Sequence, residues 1–85
     1  MPTVLNSEEI LNRVAELAAD QAGVDRSSVS AQTRFTEDLN YDSLDKVDLV
    51  LELEDEFDVN IPDEEAETAK SVGQAANLIL SRLGV

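Results

Sequence analysis

The side chains of this chain that could do chemistry are carboxylates and hydroxyls. Its 85 residues include 19 Asp and Glu against six Lys and Arg, with no Cys and no His. That removes disulfides, thiolate nucleophiles, the usual zinc ligands and the side chain best suited to proton transfer near neutral pH. Asp38, Asn40 and Asp42 have the spacing of the first three ligands of an EF-hand calcium loop. Ser43, however, stands where the sharp-turn glycine belongs, and Leu49 where the bidentate glutamate belongs. No defined metal site is predicted, and a small acidic protein that binds divalent cations loosely is the alternative this cluster supports. Glu52 and Glu56, one helical turn apart, read as a solvated face rather than a catalytic pair, since nothing points to a cleft that would perturb them. Ser43 follows Asp42 at the predicted start of a helix, where a serine most often acts only as a cap.

The elements that must position these residues are helical. Asn6 is placed to cap a first helix, with Glu9 completing a capping box and Leu5 stapling onto Ile10. Ile10, Leu11, Val14, Leu17 and Ala18 then recur at helical spacing up to a stop at Gly23. From Val24 to Tyr41 the periodicity fades into a long loop that Val24, Val29, Phe35 and Leu39 are expected to anchor; loops of this length in compact domains are often functional. Asp42 or Ser43 opens a second helix to about Phe57, and Asp58 to Pro62 breaks it. A short third helix is predicted from Asp63 to about Ala69, with acids near its positive end. Ser71 and Gln74 form a further capping-box pattern ahead of Val72, Ala75, Ala76, Ile79, Leu80 and Leu83, the stripe of a last helix ending at Gly84. The expected fold is all-α: one domain over residues 1–85, a four-helix bundle with three main helices, a short third helix and a long loop between helices one and two.

A chain this small buries only roughly 60% of its unfolded surface, so a deep enclosed active site is not expected and the chain is read as a non-enzyme. Its net charge of −13 repels nucleic acid and anionic lipid and steers the molecule toward basic protein surfaces. The start, Met1 to Asn6, has neither a basic segment nor an apolar stretch, and no run approaches a membrane span. These features lead to the expectation of a protein of the cytoplasm, or of an organelle matrix after removal of a targeting segment, without stable membrane insertion; a monomer is expected.

The second helix carries two apolar faces. Leu49, Val50, Leu53 and Phe57 form the expected core stripe, whereas Leu44, Val47 and Leu51 fall on the opposite side among Asp48, Glu54 and Asp55, with Asp45 and Glu52 at its edge. Burying those acids without partners would be costly, so this face is expected to reach solvent as a greasy strip edged with carboxylates. Such a strip suits a groove rimmed with Arg and Lys.

The stretch Asp38-Leu39-Asn40-Tyr41-Asp42-Ser43-Leu44-Asp45 resembles the phosphopantetheine attachment motif of acyl carrier proteins, whose centre reads Asp-Ser-Leu. Glu54-Asp55-Glu56-Phe57 and Ile61-Pro62-Asp63-Glu64-Glu65-Ala66 are similar to that family's acidic end of helix two and entry to helix three. The resemblance implies that a phosphopantetheinyl transferase joins 4′-phosphopantetheine from coenzyme A to Ser43, and that the arm supplies the thiol this chain lacks. It further implies that Asp42, Leu44, Asp45, Val47, Asp48, Leu51, Glu54 and Asp55 lie on or near a docking face for enzymes with basic surfaces: ketoacyl synthases, reductases, dehydratases and acyltransferases of fatty acid synthesis. A carried chain that folds back would meet Val50, Leu53, Ile61 and Ala66. A carrier for a specialised lipid, polyketide or peptide pathway is the neighbouring alternative. Asn40-Tyr41 departs from the family's usual Gly and small or aliphatic residue, and Asp48 from its usual Glu. Asn tolerates the left-handed backbone a Gly would serve.

Overall fold

The computed structural model describes residues 6–83. Among them five α-helices are formed: α1 Ser7–Ala22, α2 Phe35–Leu39, α3 Ser43–Phe57, α4 Asp63–Thr68 and α5 Val72–Leu83. The three long helices, the short helix after α3 and the all-α class agree with the sequence-based reading. The difference lies in the long loop, which holds a 3-10 turn at Arg26–Ser28 and the five-residue α2.

Asn6 Oδ1 accepts the Glu9 N–H at 2.8 Å and so caps α1. The expected staple from Leu5 and the stop at Gly84 lie outside the described residues. At its other end α1 closes in a Schellman turn: Gly23 adopts φ 74, and Val24 N–H reaches the Ala19 carbonyl at 3.0 Å. That geometry corrects one expected anchor. Val24 stands just beyond the left-handed residue and is exposed, whereas Val29 and Phe35 are buried and Leu39 packs against the core.

Two sets of bonds hold the loop in place. The Arg26 guanidinium donates to Asn12 Oδ1 at 2.8 Å and to the Val29 carbonyl at 2.7 Å, tying the loop to α1. Phe35 N–H then donates to the Lys70 carbonyl and Val72 N–H to the Thr33 carbonyl, an antiparallel bridge between Arg34 and Ser71 that locks the loop to the start of α5. Gly73 belongs to this contact, because a Cβ there would meet the Ala31 carbonyl oxygen at 3.0 Å. The capping box expected at α5 is displaced by one residue. Ser71 Oγ accepts the Gln74 N–H, but the Gln74 carboxamide takes the Lys70 N–H at 2.6 Å.

The core is a continuous cluster around Ile10, Val14, Phe35, Leu49, Leu53, Val72 and Ile79, with α1 packed against both α5 and α3. Leu49, Leu53 and Phe57 of α3 are buried as their spacing predicts, while Val50, at the edge of the stripe, is half-buried. No helix among the described residues is long and apolar enough to cross a membrane.

Candidate functional site at the start of α3

Ser43 is the first residue of α3, and it is exposed. The cap is Asp42: its Oδ1 accepts the Asp45 N–H at 2.8 Å, and Asp45 Oδ2 accepts the Asp42 N–H at 3.1 Å. Capping is thus done by carboxylates, and the Ser43 hydroxyl is not consumed by it. Ahead of the cap, Asn40 ends α2 at φ 60, the left-handed conformation its side chain allows.

Tyr41 and Gln21 fasten this corner to α1. The Tyr41 hydroxyl donates to the Ala18 carbonyl at 2.8 Å, and its ring lies 5.4 Å from that of Phe35. Burial, reinforced by the charges of Asp45 and Glu52, pushes the Tyr41 phenol up to about 12. Gln21 Nε2 donates to the Asp45 carbonyl at 2.6 Å, inside the first turn of α3. Tyr41 is therefore a buried strut under the start of α3.

Leu44, Val47 and Leu51 are 74%, 53% and 58% exposed, an uncovered aliphatic strip on α3. Asp42, Asp48 and Asp55 stand beside it in solvent. Asp45 and Glu54 are half-buried because each has internal work: Asp45 in the capping box, and Glu54 accepting the Ile61 N–H at 2.7 Å. The eight expected docking residues hence divide into five free side chains and three, Asp42, Asp45 and Glu54, that also hold local structure.

Between α3 and α4 runs an open groove of about 560 Å³, with Ser43 at one end and Val50, Ile61 and Ala66 along its floor. Behind that floor a second space of about 20 Å³ is lined by Val50, Leu53, Ile61 and Ala66 together with Phe35 and Leu49. All four residues expected around a stored chain thus share one apolar wall. The inner space has room for about one water molecule. Val50, Ile61 and Ala66 border both spaces and form the partition.

Lys46 also borders both spaces, its Nζ 5.9 Å from the Phe35 ring centroid. Sequence reasoning passed over this residue, although a signal was present: Lys46 is the sole basic residue between Arg34 and Lys70.

The acids of the EF-hand-like pattern are engaged elsewhere. Asp38 accepts the Arg34 N–H at 2.8 Å, a bond that holds its carboxyl below the usual range, and Asp42 caps α3. Among the described residues no group of three or more metal-ligating side chains converges. The corner therefore offers an exposed hydroxyl, without an adjacent imidazole or thiolate, at one end of a groove with an apolar floor and an acidic rim. That arrangement suits a hydroxyl modified by another enzyme rather than a nucleophile activated from within.

Comparison with known proteins gives the same reading. The family model described as a phosphopantetheine attachment site matches residues 12–79. The chain is 46% identical over 80 residues to an acyl carrier protein of Lactobacillus acidophilus, a match covering 94% of this chain and all of that protein. It is 47% identical over 79 residues to one from Thermosynechococcus vestitus, covering 93% and 98%. The solved acyl carrier protein of Enterococcus faecalis superposes with a TM-score of 0.78 at 38% identity, covering 92% of this chain and 99% of that one. With an attachment-site model over most of its length and curated relatives matching nearly end to end, this chain belongs to the acyl carrier proteins, carriers of acyl groups on a 4′-phosphopantetheine prosthetic group.

Proposed function

We propose that Ser43 is the attachment residue and that the chain delivers acyl groups to the enzymes of fatty acid synthesis. The observation that carries this is the position of Ser43: first in α3, relieved of capping by Asp42, and open to the α3–α4 groove. In the attachment step the Ser43 oxygen forms a bond to the pantetheine-side phosphorus of coenzyme A. The bond from that phosphorus to the nucleotide portion breaks, and the hydroxyl proton passes to a base of the transferase. The bound group supplies the thiol on which a thioester forms, which this chain, lacking Cys, does not contain.

The chain's own residues contribute position. A phosphate on Ser43 meets unpaired N–H groups at the first turn of α3, while the capping box, Tyr41 and Gln21 keep that turn fixed against α1. Leu44, Val47 and Leu51, flanked by Asp42, Asp48 and Asp55, supply the surface that partners read. Those partners are the phosphopantetheinyl transferase, ketoacyl synthases, reductases, dehydratases and acyltransferases, each offering basic side chains to a monomeric carrier that performs no chemistry itself. The setting proposed is the cytoplasm, where thiols are kept reduced and available for acylation.

Ser43→Ala tests the assignment. Gain of the phosphopantetheine arm after treatment with transferase and coenzyme A should be abolished, and the helical circular dichroism spectrum should be unchanged. Continued gain of the arm by a folded Ser43→Ala protein would refute the site.

A further inference from the structure

A lone cation lies in an acidic groove. Lys46 is three residues beyond Ser43 on α3, so the two side chains share a helix face, and both border the α3–α4 groove. The other charged groups lining it are the carboxylates of Glu54, Asp63 and Glu67. Elsewhere among the described residues Arg13, Arg34 and Arg82 form ion pairs with acids. Lys46, like Arg26 and Lys70, forms none, and of these three it alone borders the groove. Its stem lines the inner apolar space, and its ammonium is held near the Phe35 ring. Desolvation and the nearby Lys70 disfavour its charge, while Glu67 favours it. Lys46 is half-buried and its ammonium has no acid partner, which leaves that charge available to an anion.

We propose that Lys46 binds the phosphate at the root of the arm on Ser43 and holds it over the mouth of the α3–α4 groove. This rests on Ser43 being the attachment residue. A phosphodiester there enters a rim of carboxylates that repel it, and Lys46 is the one cation bordering the groove that can offset them. A flexible four-carbon stem ending in a three-donor point charge suits a phosphate attached one turn earlier. Held this way, the arm starts along the groove floor toward Val50 and Ala66 instead of into solvent.

The test compares the full chain before and after enzymatic modification, following the titration of the lysine side chains by NMR. Lys46 and Lys70 are the only lysines, so a Lys70→Arg sample assigns them. Modification should raise the Lys46 midpoint by about 0.5 pH or more, by more than it raises Lys70, and the rise should shrink in high salt. Fragmentation mass spectrometry of the same sample locates the arm. An arm on Ser43 with an unmoved or lowered Lys46 midpoint overturns the Lys46 assignment alone. An arm found elsewhere, or none, overturns the Ser43 reading and this inference with it.

Discussion

The Tyr41 hydroxyl donates a 2.8 Å hydrogen bond to the Ala18 carbonyl, joining the residue two positions before Ser43 to the middle of α1. An aromatic at this point of the motif thus acts from beneath the surface, through α1 and Phe35. Tyr41→Phe should keep the ring packing and lose the bond, at about 1 kcal/mol in chemical denaturation. An unchanged midpoint would show that the bond contributes nothing.

The same residue sets an alkaline limit. Its phenol is raised in the folded state from the ordinary 10.0 to about 12, so the folded protein favours the neutral form. That contribution is complete below pH 10 and is lost as pH rises from 10 toward 12. Absorbance titration should follow the single Tyr, and denaturation across the window should show the parent losing stability faster than Tyr41→Phe.

Arg13 and Glu56 join α1 to α3 through bonds of 2.8 and 3.1 Å. Both side chains are well exposed, so Arg13→Ala should cost only about 0.5 kcal/mol. The bond to Arg13 holds the Glu56 carboxyl below its usual range. Its stabilisation is therefore present above the ordinary carboxylate value and is lost as pH falls through the lowered one. The difference between parent and Arg13→Ala should narrow on acidification, and an increase would reverse the sign of the account.

On the docking face, Asp48→Lys with Asp55→Lys should slow association with a partner ketoacyl synthase about tenfold or more at low salt, less at high salt. Both carboxylates are exposed, so the thermal midpoint should change little or rise as self-repulsion falls. Normal turnover by partner synthases after the double reversal would remove this face from the account.

Attaching a medium-length saturated acyl chain to the arm should move the methyl resonances of Val50, Leu53, Ile61 and Ala66 most, because these four line the inner space that the chain would expand. Shifts confined to Leu44, Val47 and Leu51 would place the chain outside, on the exposed strip.

Much of this molecule was legible from spacing alone. Ile10, Val14 and Ala18 mark α1, and the split of α3 into Leu49, Leu53 and Phe57 inside with Leu44, Val47 and Leu51 outside follows from helical periodicity. The candidate corner could be picked out in the sequence because Asp42, Ser43 and Leu44 are adjacent in the chain. Residues that act across the chain left no local trace. Tyr41 meets Ala18, Gln21 meets Asp45 and Gly73 meets Ala31 only once the helices have packed. α2 escaped notice because five residues are too few to show a helical period, and the bridge that fixes its start comes from Lys70. Val24 read as an anchor because it is apolar, yet the turn at Gly23 carries it outward.

The most direct measurement of the central claim is intact mass with fragmentation, before and after incubation of the unmodified, folded chain with coenzyme A and a broad-specificity phosphopantetheinyl transferase. The account predicts a gain of one phosphopantetheine unit, located on Ser43 and absent from Ser43→Ala. A unit located on another hydroxyl, or a folded parent that gains none with each of several transferases, would contradict it.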